Sequence, residues 1–65
     1  MNTELAKLNE AQRSKLRELF AGRTAKSVHV DEAISKVTVD FGPCTHWVML
    51  GPRGGIVYHT IRATA

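Results

Sequence analysis

Residues 47–61 read Trp47-Val48-Met49-Leu50-Gly51-Pro52-Arg53-Gly54-Gly55-Ile56-Val57-Tyr58-His59-Thr60-Ile61. Two runs of β-branched, aromatic and aliphatic side chains flank a Gly/Pro segment, which is the pattern of a β-hairpin. Pro52 presets the first turn position, Arg53 fits the second, and Gly54 accepts the positive φ of the bulge that closes a three-residue loop. In that register Trp47 faces His59 and Leu50 faces Ile56. One side of the ribbon then carries Trp47, Met49, Val57, His59 and Ile61, and the other carries His46, Val48, Leu50, Ile56, Tyr58 and Thr60. Both sides are substantially apolar.

Immediately upstream, Lys36-Val37-Thr38-Val39-Asp40-Phe41 alternates cleanly, so Val37, Val39 and Phe41 point to one face of a third strand. A three-residue loop from Gly42 to Cys44 sets Val39 opposite Trp47 and Val37 opposite Met49, which assembles one apolar face. Something must cover that face. The first segment supplies it: from about Thr3 or Glu4 to Phe20, Leu5, Leu8, Leu16, Leu19 and Phe20 recur at helical spacing, with Gln12 interrupting the stripe. Thr3 is a candidate cap, and Gly22 followed by Arg23 a stop. Arg13 and Arg17 share a flank with Glu10, the arrangement of a solvated face stitched by ion pairs.

The stretch 24–35 carries two signals. Val28 and Val30 alternate like a short strand, whereas Asp31-Glu32-Ala33-Ile34-Ser35 reads like an N-capped helical turn. Two architectures follow, a helix with a meander of three or four strands, or a helical N-terminal half with a terminal hairpin. The expected fold is α+β, one N-terminal helix packed on a three- or four-stranded antiparallel sheet that ends in the hairpin.

Size and composition limit what such a fold can do. Sixty-five residues, 43% hydrophobic and 23% charged, make one small globular domain, 1–65, whose core is thin. The single cysteine, Cys44, rules out an internal disulfide, so partner binding or self-association is the remaining common route to stability. No apolar run reaches the length of a membrane span, and Met1-Asn2-Thr3-Glu4 lacks the order of a signal peptide, so the expected location is the cytoplasm. The net charge of +3 permits nucleic-acid contact without demanding it. From Phe41 onward there is no acid, while His46, Arg53, His59 and Arg62 are present.

The residues Thr24-Ala25-Lys26-Ser27-Val28-His29-Val30-Asp31-Glu32-Ala33-Ile34-Ser35-Lys36 resemble the helix-turn-helix of small phage repressors of the Cro type, with Ala25, Val28, Val30 and Ile34 at or near the positions that motif buries. The resemblance implies a dimeric DNA-binding regulator, with the hairpin as its C-terminal ribbon. Two departures stand against it: His29 occupies the position usually held by glycine, and one residue is missing between Glu32 and Ala33.

Nothing in the chain spells out catalysis. Cys44, His46, His59 and His29 are metal-ligand types, but no paired spacing anchors them and the hairpin register sends His59 away from His46. There is no nucleophile elbow, Gly51–Gly55 joins two strands instead of opening a helix, and the chain offers little volume for a pocket. The expectation is therefore a small regulatory or inhibitory protein, of the kind phages and mobile elements encode, that is not an enzyme and uses no metal, cofactor or small-molecule substrate. It binds a protein partner, itself, or both, through Val48, Leu50, Ile56 and Tyr58, which one helix leaves uncovered, or through a sheet edge. The alternative is the DNA-binding regulator, using Lys26, Lys36, Arg53 and Arg62.

Overall fold

The computed structural model describes residues 4–63 and has the α+β architecture, one helix on a four-stranded antiparallel sheet. A short 3₁₀ turn, Leu5–Lys7, precedes helix α1, Glu10–Leu19, and the sheet is a meander of β1, Ser27–Asp31, β2, Lys36–Asp40, β3, Cys44–Leu50, and β4, Ile56–Ala63, in spatial order β1-β2-β3-β4. The helix is shorter than the apolar stripe predicts. Asn9 breaks it, with extended backbone and a reciprocal capping box: its Oδ1 accepts from the Gln12 amide at 2.9 Å and its own amide donates to Gln12 Oε1 at 3.0 Å. The proposed cap at Thr3 lies outside the described residues.

The ambiguous stretch is a hairpin, and both of its local signals are present in it. Val28 and Val30 are strand, and Asp31 opens a turn by accepting the Ala33 amide on its side chain and the Ile34 amide on its carbonyl. Ser35 closes the turn at φ +51°. Since Ser27–Asp31 pairs with Lys36–Asp40, no recognition helix forms, and the Cro-type resemblance does not extend to the fold.

One residue of turn length decides what β3 buries. Phe41 and Cys44 close a two-residue turn with the Phe41 amide donating to the Cys44 carbonyl, and Gly42 sits at φ +96° in its first position, as a primed turn requires. The expected three-residue loop is therefore replaced, and Val39 pairs with His46 and Val37 with Val48. A shift by one residue exchanges the two faces of a strand. His46, Val48 and Leu50 turn toward α1, and Trp47 and Met49 turn away. Leu8 and Leu16 close the core over Val30, Val37, Val39, Val48 and Leu50, with Leu5, Leu19, Phe20 and Phe41 packed around it.

A second irregularity corrects the last hairpin. Leu50 pairs with Ile56 as expected, but the register then slips so that Met49 faces Tyr58 and Val48 faces His59. Val57 is the extra residue of a bulge. The hairpin tip is fastened to the helix start: Gln12 Nε2 donates to the Gly51 carbonyl at 3.1 Å and Asn9 Nδ2 to the Pro52 carbonyl at 2.8 Å. Gln12, the interruption in the apolar stripe, is buried for this reason.

Candidate functional site

Of the four residues expected to form a contact face, the structure buries two. Val48 is 0% and Leu50 3% exposed, both beneath α1, because the two-residue turn put them there. Ile56 shares their side of the sheet at 44% exposure, since α1 does not reach the outermost strand, and Tyr58 lies on the opposite side at 52%. The two register slips cancel for Tyr58 and do not cancel for Val48 and Leu50.

The uncovered apolar surface is strand β4 and the side of β3 that faces away from the helix. Val57 at 68% and Ile61 at 59% join Ile56 and Tyr58, so β4 carries four of the five exposed large hydrophobic residues found among the described residues. Next to Tyr58, Met49 and Trp47 lie half-buried on the outer side of β3. Trp47 and Tyr58 thus share one side, whereas the sequence register divides them. At the other edge of the sheet β1 shows Ser27, His29 and Asp31 to solvent. Polar and charged side chains blunt an edge against further pairing; β4 also shows His59 and Arg62 to solvent, but interleaves them with its four large apolar side chains.

The four basic residues of the DNA-binding alternative are not brought together. Lys26, whose amide donates to the Asp40 carbonyl, and Arg62, opposite Thr45, lie at one end of the sheet. Lys36, opposite Met49, and Arg53, in the β3–β4 loop, lie at the other. Asp31 stands across from Lys36 and Asp40 across from Thr45, so the outer side carries charges of both signs.

The bulge at Val57 has a second effect, which the sequence register hides: it rotates His59 onto the side of His46. His46 Nδ1 and His59 Nε2 come within 3.0 Å, so one neutral ring donates and the other accepts. Phe20 and Phe41 meet the buried His46 ring edge-on, with centroids 5.2 and 5.3 Å away. Cys44 Sγ lies 3.6 Å from His46 Nε2, on the far side of the ring from His59. Cys44 and His59 therefore flank His46 from opposite ring nitrogens and do not converge with it on one point. No group of three or more His, Cys, Asp or Glu among the described residues is placed to hold a metal ion.

Burial holds the His46 imidazolium below its ordinary pKa of 6.5, with Arg23 and His59 adding charge repulsion. A histidine whose folded form resists protonation stabilises the fold while it is neutral in both states. Below pH about 6.5 the unfolded chain takes up a proton that the folded chain refuses, so stability falls as pH falls, until the folded form itself protonates. Urea midpoints measured from pH 8 to pH 5 are expected to drop in this window, and His46→Leu to flatten the drop. An unchanged slope in His46→Leu assigns the pH dependence to other groups.

A cleft of about 330 Å³ opens between α1 and β1–β2, floored by Leu16, Phe20, Val28 and Val39. That is more volume than the little expected of so short a chain. No helix among the described residues is long and apolar enough to cross a membrane. No protein-family model, curated protein or solved structure matches the chain.

Proposed function

We propose that the chain is a stoichiometric binding protein without turnover, and that its contact element is strand β4 together with Trp47 and Met49 on the outer side of β3. The observation that carries this reading is the state of β4. It is an eight-residue edge strand, its four large apolar side chains lie in solvent, and its outer backbone edge has no neighbouring strand among the described residues. An exposed, long, apolar edge is a template for an added strand, whose main-chain bonds supply affinity and whose side chains supply selectivity. The added strand comes from a protein partner or from β4 of a second copy. A regulatory or inhibitory role in the cytoplasm fits a small chain with a free thiol and no disulfide.

Truncating a central interface anchor costs about 1–4 kcal/mol, about tenfold or more in affinity. Tyr58→Asp and Ile61→Lys are both on exposed positions, so the fold is expected to survive while self-association in sedimentation, or recovery of the partner from the native host, falls at least about tenfold. If both variants leave oligomeric state and partner recovery as in the parent chain, β4 is not the contact element.

A further inference from the structure

The cleft between α1 and β1–β2 is a second feature, independent of β4. Its floor is apolar, and the charged residues at its margin are Arg13 and Arg17 from the helix and Arg23 from the segment that leads to β1. No carboxylate among the described residues lines it. Glu10 pairs with Arg13 at 3.1 Å and with Arg17 at 2.6 Å, and so offsets one of the three cations. Arg23 has no carboxylate partner among the described residues. Its guanidinium lies 4.0 Å from the Phe41 ring centroid and its Nη2 reaches Cys44 Sγ at 3.7 Å. Stacking on a ring holds the planar group without satisfying its charge.

We infer that this cleft binds a small amphiphile with one anionic head and an apolar body, the body on Leu16, Phe20, Val28 and Val39 and the head at Arg23. Water is a poor occupant of such a floor, because a bound water needs two to four polar partners. A cavity of roughly 150 Å³ takes one benzene, so this cleft suits a body of about two rings or a chain of about ten carbons. The cationic margin selects the sign of the head. A guanidinium fork matches a carboxylate in geometry as well as charge. A nucleic-acid backbone would meet the cations but leave the apolar floor wet, so the concavity favours a small molecule.

The test is a titration of the ¹⁵N-labelled chain with decanoate, and in parallel with decanol and decyltrimethylammonium, followed by amide shifts. The expected result is saturable change at Ala25, Val28, Val39 and Phe41 with decanoate, about tenfold weaker binding of decanol, and none of the cation. Arg23→Gln, on an exposed side chain, is expected to weaken decanoate about tenfold with an otherwise unchanged spectrum, and Arg23→Lys to recover part of the loss. Shifts confined to β4, no saturable shift, or equal affinity for the three amphiphiles each overturns the assignment.

Discussion

Gly54→Ala is expected to remove a large share of the stability of the domain, about a third or more. Gly54 lies in the β3–β4 loop at φ +83°, and a Cβ placed there would stand 2.5 Å from the carbonyl oxygen and 2.9 Å from the carbonyl carbon of Ala11. Those atoms belong to the first turn of α1, which has no flexible side-chain end to move aside. The positive φ alone costs a non-glycine residue about 1–2 kcal/mol. Relieving the overlap means lifting the hairpin tip from the helix, which breaks the bonds from Gln12 to the Gly51 carbonyl and from Asn9 to the Pro52 carbonyl, about 1 kcal/mol each. The sum, about 3–4 kcal/mol, compares with a total of about 3–10 for a domain of this length. Gly55→Ala is the control, since a Cβ there meets nothing within 4 Å. Urea unfolding followed by circular dichroism is expected to show a large loss in the first variant and a small one in the second. Equal midpoints would mean that the tip is not docked on α1.

The same docking shows why parts of the molecule were legible in the sequence and others were not. The apolar stripe, the alternation over 36–41 and the Gly/Pro punctuation at 51–55 each report a local periodicity, and each produced its element. Asn9-Glu10-Ala11-Gln12 also carried a local signal, an amide cap with an amide three residues on, which places the helix start later than the leucines do. That Gln12 then reaches the Gly51 carbonyl is a contact between residues 39 apart, and no periodicity encodes it. The faces of β3 depended on whether Gly42-Pro43 or Gly42-Pro43-Cys44 makes the turn, a choice between backbone geometries that the same residue types permit. The pairing of His46 with His59 depended in turn on the bulge at Val57. Elements are local properties of a chain, whereas facing is a property of the connections, and a candidate site inherits the errors of facing.

The observed register makes a sharp experimental distinction between neighbouring residues of β3. Val48→Asp is expected to prevent folding: the side chain is wholly buried among Val37, Leu50 and the helix leucines, every side-chain polar group buried around it already has its partner, and an isolated carboxylate there must either desolvate or protonate. Either course, added to the lost apolar contact, costs about 4–5 kcal/mol or more, at the top of the range for single substitutions. Met49→Asp, one residue on, faces away from α1, keeps its carboxylate in contact with water and lies beside Lys36 in the β2–β3 ladder. Its effect is expected to stay near 1 kcal/mol, the loss of a half-buried apolar side chain. A three-residue turn at Gly42 reverses the order, with Met49 in the core and Val48 in solvent. Amide dispersion in proton–nitrogen spectra of the two variants therefore reads the turn directly: a folded Val48→Asp beside an unfolded Met49→Asp would restore the longer loop. The contact surface would then move with it, since Val48 and Leu50 would come out from under the helix and Trp47 and Met49 would go beneath it.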